Sequence, residues 1–520
     1  MQTQTDGYVT DIPYTSQAYP ALAPVNLLMA ATLAGVHPPV LEPGAVVWEL
    51  GCGHAGGLIA AAVAHPACHF FGVDFNPAHI AGARRRAADL GVTNVTLLDA
   101  DFVDLAREPG ALPGCDLAVI HGVYGWIGAP ERAAVRALLR HGVRAGGLVY
   151  LSYNAMPGSA AMGIVQRALR EAASLVTGRS DHRLRHGIER IKALRAAGAL
   201  HLSGGGLMEG LFEKLDQADP AYLVHEYMNA SWSALYHSDV ARDMAEARLE
   251  YAGSAVPYEN FPELMLTPAQ AEALGEVSVP HVRETLRDLF ISRILRKDLF
   301  MRGVRRMTEG ERHHRLRETL MCAAVNPAEA ADTLSVPAGE ITLSPKFRAA
   351  AEALWEGGPQ TLGALVDGPL AGATDTTLES AALLVSAGFA WPCLAPPPES
   401  AVATSRRALA RGAAAVRAGG LGTRVTALAP RLGSAFELSG LECLVLDGLW
   451  QGVPDQTDAL VEHVWGPFEA VGETLLNKGE RIDDPTRCRA LLADMVGRMR
   501  PDRLPIWRGL GMLPETVVRA

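Results

Sequence analysis

Short apolar runs alternate with segments of helical spacing between residues 45 and 154. The runs AVVWELG (45–51), CHFFGVD (68–74), VTLLDAD (95–101), DLAVIHG (116–122) and LVYLSYN (148–154) are continuous and rich in β-branched and aromatic residues. That pattern predicts buried strands. Segments 56–64, 79–91 and 130–147 carry the helical period, and the last two end on glycine stop signals. The alternation predicts an α/β fold with a doubly wound, mostly parallel, Rossmann-like sheet. Ligands bind such a sheet beyond the carboxyl ends of its strands. An apolar helix is expected ahead of it, over about 24–36.

After Pro157-Gly158 the pattern turns helical. Residues 159–200 read as helix rich in Arg and Ala, Gly204-Gly205-Gly206 is a break, and 207 to about 300 reads as mostly helical. Segment 346–394 predicts three helices and a short strand, which fits either a winged-helix-like unit or a plain helical packing domain. The length of 520 residues has room for several domains.

A hydrophobic fraction of 49% with 20% charged residues is globular composition. The net charge of −10 argues against a chain that coats nucleic acid, so no nucleic-acid partner is expected. Two basic features stand out locally. Arg84-Arg85-Arg86 reads as a solvated helix face, and 400–436 holds six arginines and no acid, a surface suited to an acidic partner if it is free. The seven cysteines contain no CxxC pair, so neither a disulfide framework nor a zinc site is expected. The N-terminal residues lack a signal-peptide pattern, and there is no apolar run of about 18 residues. A cytoplasmic protein without a membrane span is the expectation.

Candidate chemistry concentrates in Glu49-Leu50-Gly51-Cys52-Gly53-His54-Ala55-Gly56-Gly57, directly after the first predicted strand. Glycines there let a ligand approach the backbone. Gly51, Gly53 and Gly56 also satisfy the dinucleotide fingerprint, which is weak alone. Glu49 tips the balance, because a carboxylate beside a pyrophosphate repels it and beside an ammonium attracts it. Asp74 ends the second strand, where an acid grips a ribose diol. Asp101 follows the third strand and can accept an adenine amino group. Three acids at adjacent strand tips suit S-adenosylmethionine, a cation without phosphate, better than NAD. Cys52, Phe75, Asn76, Phe102 and His121 flank these acids and complete the expected cofactor set with Glu49, Gly51, Gly53, Asp74 and Asp101.

Residues 40–155 resemble the class I S-adenosylmethionine-dependent methyltransferases, with ELGCG as the nucleotide loop. A finer resemblance rests on YVTDIPY (8–14), HGVYGW (121–126), SYNAMPG (152–158), DPAYLVHEYMN (219–229), RDLFISR (287–293) and LDG (446–448) followed by Ala459-Leu460. These look like a bacterial subfamily with a methyltransferase regulatory domain, similar to the rickettsial-type protein lysine methyltransferases. The resemblance implies a cofactor-binding catalytic domain over 1–158, a helical dimerisation region over 159–206, a regulatory or middle domain over 207–330 and C-terminal accessory domains over 331–520. It implies N-methylation of protein lysine side chains by in-line displacement, S-adenosylhomocysteine as product, no metal, a protein or peptide substrate and a homodimer. A tailoring enzyme acting on a peptide or natural-product N or O atom is the alternative. A non-catalytic sensor of the cofactor is a third reading, weakened by the intact loop and acids.

The Asp/Asn-Pro-Pro-Tyr motif of adenine-N6 and glutamine methylation is absent, and HGVY stands in its place. A lysine acceptor must shed a proton, and an apolar aromatic channel favours its neutral form. Tyr14, Tyr19, Tyr124 and Trp126 are the candidates to line that channel, His121 to accept a proton or hydrogen-bond the cofactor, and Asn154 to position the acceptor nitrogen. His54 reads as a loop filler. His225-Glu226 lacks an HxxxH partner and reads as a buried hydrogen-bonded pair rather than a metal site.

Overall fold

A computed structural model describes residues 4–5, 7–9, 11–12, 19–108, 110–470, 472, 474–477 and 480–514. A first helix, α1 (Pro24–Leu33), precedes the expected alternation: β1 (Val46–Leu50), α2 (Gly56–Ala64), β2 (His69–Asp74), α3 (Pro77–Leu90), β3 (Val95–Asp99), α4 (Phe102–Ala106), β4 (Cys115–Ile120), α5 (Ala129–Gly142) and β5 (Val143–Asn154). All five strands pair in parallel. Side chains alternate between the two faces of the sheet, as a strand requires. Val47 and Phe70 pack beneath α2 and α3, whereas Val46 and Trp48 pack against α4 and α5.

Helix α5 stops at Gly142, short of the expected 147, and β5 begins at once. A Cβ on Gly142 would lie 1.8 Å from Cη2 of Trp48, so only glycine lets the helix end approach the sheet this closely. The glycines read as a helix stop, Gly146 and Gly147, lie inside the strand.

Segment 159–300 is helical but not wholly so. Helices α6 (Ala160–Ala173), α7 (Ser180–Ala196), α8 (Gly206–Gln217) and α9 (Pro220–Met228) share an apolar core with Val9 and Ile12. Helix α10 (His237–Glu246), strand β6 (Glu250–Ser254), α11 (Pro280–Arg287) and strand β7 (Leu295–Met301) follow. The two strands complete a seven-stranded sheet of order β3-β2-β1-β4-β5-β7-β6. Strand β7 runs antiparallel to both neighbours. The mostly helical expectation missed them because Arg296, Lys297 and Asp298 interrupt the apolar run of β7.

Arg296 and Asp298 are buried and paired, whereas Lys297 is half-buried. The Arg296 guanidinium donates from Nε to Asp298 (3.0 Å), from Nη1 to Asp288 (2.6 Å) and from Nη2 to Glu284 (2.8 Å). Arg293 bonds the other Asp288 oxygen at 2.9 Å. Asp298 accepts from Tyr153 of β5 at 2.6 Å and lies 2.9 Å from Nδ1 of His237. Burial alone would raise the Asp298 carboxyl, but Arg296 and His237 hold it well below the usual carboxylate range.

Beyond residue 330, α12 (Pro345–Gly357), α13 (Leu362–Asp367) and α14 (Thr377–Ser386) give the three expected helices. The strand after them, β10 (Ala390–Cys393), pairs with β8 (Leu320–Ala323), which also pairs with β9 (Gln360–Thr361). Helix α15 (Glu399–Gly419), the hairpin β11 (Val425–Ala429) and β12 (Ser434–Leu438), α16 (Gly440–Trp450), α17 (Thr457–Ala470) and α18 (Pro485–Gly509) build a last core. Three arginines of the arginine-rich stretch serve this packing. Arg407 donates to the Leu90 carbonyl (2.7 Å), Arg411 pairs with Asp89 (2.6 Å) and Arg417 with Asp447 (2.5 Å). Among the described residues no helix is long and apolar enough to cross a membrane.

Breaking a buried ion network leaves an uncompensated charge, at about 3–5 kcal/mol. Asp298→Asn is therefore expected to lower unfolding free energy by about that amount in a denaturant titration. A depressed carboxylate contributes stability above its unfolded value of 3.8 and loses it as pH falls below. The variant should accordingly lose stability less steeply than the parent chain below about pH 4.

Candidate active site

The carboxyl ends of β1 to β5 open into a cavity of about 1210 Å³. Backbone geometry shapes its floor. Gly51 has φ +80°, and a Cβ there would sit 2.3 Å from Cγ2 of Val123. The chain turns here only because residue 51 has no side chain. Gly53 continues at φ +51° and α2 starts at Gly56.

Asp74 braces this loop. One of its oxygens accepts from Gly53 N at 2.8 Å and the other from Asn76 N at 3.0 Å. Each carboxylate oxygen keeps a second lone pair. Asn76 caps α3 by accepting from Ala78 N at 3.0 Å and His79 N, and Asp101 caps α4 by accepting from Val103 N at 2.6 Å. Glu49, Gly51, Cys52, Gly53, Asp74, Phe75, Asn76, Asp101, Phe102 and His121 all line the cavity. The expected cofactor residues thus share one surface, although Asp74, Asn76 and Asp101 also hold local structure.

Two protonation states matter here. Burial, reinforced by Asp74, pushes the Glu49 carboxyl up to about 8. No ion pair or hydrogen bond among the described residues neutralises it, so the pocket is short of a cation beside Glu49. Burial and then the Glu49 charge push the Cys52 thiol up, which keeps it protonated and unreactive.

His121 lies at the end of β4. Its Nδ1 is 3.0 Å from the Tyr150 hydroxyl and 3.1 Å from Ser152 Oγ, and its ring centre is 4.6 Å from that of Tyr19. Burial, with Lys297 adding to it, lowers its pKa to about 4. His121 is therefore neutral at pH 7, suited to hydrogen bonding rather than to removing a proton from an amine.

Of the expected channel residues, Tyr19 and Trp126 line the cavity. Tyr124 does not: it is fully buried and its hydroxyl donates to Asp243 at 2.7 Å. Tyr14 lies outside the described residues. Asn154 lines the cavity, is 5% exposed and leaves Oδ1 without a hydrogen-bond partner.

Four wall residues were not expected from the sequence: Lys297 on β7, Lys214 on α8, and Tyr222 and Glu226 on α9. Glu226 instead read as half of a buried pair with His225. His225 also lines the cavity, with its Nε2 2.9 Å from the Ile12 carbonyl. The signal was the i, i+4 spacing of Tyr222 and Glu226, which puts both on one helix face. Among the described residues no cluster of three or more His, Cys, Asp or Glu is arranged to hold a metal.

These residues fit S-adenosylmethionine. An ammonium lets buried Glu49 ionise against it, whereas a pyrophosphate would meet the Asp74 carboxylate and leave Glu49 buried and protonated. Gly51 leaves the floor open where a Cβ would fill it. Calorimetric titration with S-adenosylmethionine at pH 7 is expected to release close to one proton, as ammonium binding ionises Glu49. Glu49→Gln should abolish that release, and Gly51→Ala and Asp74→Ala should abolish binding. Unchanged affinity in both of the latter variants would remove the site from this surface.

The family comparisons agree with this geometry. Residues 41–192 match a methyltransferase domain model, and residues 219–302 match a model described as a predicted methyltransferase regulatory domain. The chain is 29% identical to an uncharacterized protein of Synechocystis sp. over 521 residues, covering 98% of this chain and 100% of that one. An uncharacterized protein of Rickettsia prowazekii is 32% identical over 148 residues, 28% of this chain and 26% of its own. Two solved structures of PKMT2 from Rickettsia typhi, one in complex with AdoHcy, cover 96% of this chain and 100% of theirs. Their TM-scores are 0.67 and 0.68 at 18% and 19% identity, which shows a shared fold along the whole chain. The protein is an S-adenosylmethionine-dependent methyltransferase of class I fold that carries a methyltransferase regulatory domain.

Proposed function

We propose that the enzyme N-methylates lysine side chains of a protein. The observation that carries this reading is Asn154 Oδ1, a buried oxygen on the cavity wall with no partner, available to an N–H of the acceptor. The wall beyond the cofactor loop supports it. Tyr19, Trp126, Tyr222, Leu207 and Leu211 give an aromatic and aliphatic lining suited to the methylenes of an extended lysine. The resemblance to the rickettsial-type protein lysine methyltransferases, and the full-length likeness to PKMT2, point the same way.

The bound cofactor would supply a methyl group activated on a sulfonium. In this reading the ammonium of that cofactor rests on Glu49, its ribose on Asp74 and its adenine amino group on Asp101. Asn154 holds the acceptor nitrogen in line with the methyl group, and alignment is the larger part of such a displacement. Neutral His121 fixes Ser152, whose Oγ accepts from Gly122 N at 2.9 Å and so sets the turn that carries Trp126. The apolar wall excludes water and disfavours a charged acceptor.

Helices α6 and α7 and the turn after them leave Leu175, Leu194 and Leu200 exposed, and we infer that a second copy covers them in a homodimer. Solution scattering is expected to give the mass of two chains, and the mass of one chain rejects the dimer. Incubation with methyl-labelled S-adenosylmethionine and a fractionated cell extract is expected to label protein, with mass spectrometry locating methyl groups on lysine. Asn154→Ala should lower kcat/KM about 100-fold with cofactor affinity unchanged. Label confined to small molecules would replace this reading with a tailoring methyltransferase.

A further inference from the structure

Helix α9 packs on the helical core and lines the cavity with Tyr222, His225 and Glu226. Leu223, Val224 and Tyr227 are buried in that core. Both ends of the helix are fastened. Asp219 caps its start by accepting from Ala221 N at 2.7 Å. At its far end Asn229 donates to the Trp126 carbonyl at 2.9 Å, and its own carbonyl accepts from Gln166 at 2.8 Å. Glu226 is therefore carried on a helix clamped to the same turn that supplies the aromatic wall.

Glu226 has a hydroxyl partner and a nearby cation: Tyr222 hydrogen-bonds it and the Lys214 charge acts on it. Lys214 of α8 donates to the Tyr222 hydroxyl at 2.8 Å with its ammonium 4.8 Å from the ring centre, so its closest engagement is with Tyr222. Tyr19, packed on His121, feels the Glu226 charge, as does Tyr227. Glu437 of β12 also acts on Tyr19. Lys214, Tyr222, Tyr19 and Tyr227 are thus the titratable groups coupled to the Glu226 charge, and His225 beside it is 2.9 Å from the Ile12 carbonyl. Burial raises its carboxyl above the usual range, with Lys214 and Tyr222 pulling back, which makes it a stronger base than an exposed glutamate.

We propose that Glu226, a residue of the regulatory domain, receives the side-chain ammonium of the acceptor and takes its proton before methyl transfer. This rests on the lysine reading above. The proton passes from the acceptor Nζ to a Glu226 oxygen and leaves a lone pair on nitrogen. That pair forms the N–C bond as the C–S bond breaks, and the bonding electrons stay on sulfur. The positive charge moves from sulfonium to methylammonium, and Glu226 returns its proton to water when the product leaves. Methyl transfer thereby depends on the regulatory domain holding α9 in place.

Glu226→Gln keeps the side-chain shape and removes the charge. With S-adenosylhomocysteine bound, the parent enzyme is expected to bind Nα-acetyl-lysine amide about tenfold more tightly than Nα-acetyl-norleucine amide. The variant should lose that preference while cofactor affinity stays the same, which separates a lost charge from misfolding. In turnover with a lysine peptide, kcat/KM should fall about 100-fold, and the limb of the pH profile that rises as Glu226 ionises should disappear. A retained cation preference in Glu226→Gln, or an unchanged pH profile, overturns the assignment. A parent enzyme that transfers no methyl to lysine removes the lysine reading. The amide preference then still decides Glu226: lost in the variant it stands, equal in both it falls.

Discussion

A single buried guanidinium organises the segment that completes the catalytic sheet, and Asp298, one of its partners, is bonded by Tyr153 of β5. Arg296 is fully buried and satisfies Asp298, Asp288 and Glu284 at once. Its strand, β7, lies against β5 along its whole length, from Leu295 opposite Asn154 to Met301 opposite Leu148. A guanidinium in an apolar sheet survives only with its hydrogen bonds filled. Filling them requires α11 and β7 together, because Glu284 lies on α11, Asp298 on β7 and Asp288 just beyond α11. The part of the chain matched as a regulatory domain is in this way built into the catalytic sheet rather than hung beside it.

The same economy of charge governs the cavity. Acids sit where strands end, and two of them, Glu49 and Asp74, are close enough for Asp74 to raise the Glu49 pKa. In the empty pocket Glu49 avoids that repulsion by keeping its proton, and a bound cation lets it ionise. The glycine loop needs Asp74 for its own shape, since Gly53 N and Asn76 N both donate to it. Loop geometry and ligand charge preference are therefore set by one side chain.

Accessory segments close the cavity from three directions. Helix α9 contributes Tyr222 and Glu226, strand β7 contributes Lys297, and the β11–β12 hairpin brings Gly433 and Ser434 to its edge. The hairpin sits there because α15 and the hairpin pack on the catalytic helices, with Ala401, Leu428 and Ala435 joining the core beneath α2 and α3. The arginines of α15 hold that contact through Leu90 and Asp89. A wall contributed by distant parts of the chain is sensitive to how those parts dock.

The sequence by itself determined the five parallel strands, the glycine loop and the acids at the strand tips. These are local: strand periodicity, the steric freedom of glycine and the position of an acid after a strand are all written in consecutive residues. Tertiary structure decided the rest. Strands β6 and β7 were hidden because Arg296 and Asp298 look like surface residues until their partners arrive from α11 and β5, and Lys297 between them lines the cavity. Tyr124, read as a channel residue, was claimed by Asp243 of α10, while Glu226, read as half of a buried pair, lines the cavity and its expected partner His225 bonds Ile12. A charged or polar side chain takes its role from whichever partner folding brings within hydrogen-bond range, and that partner is more than 100 residues away in each of these last two cases.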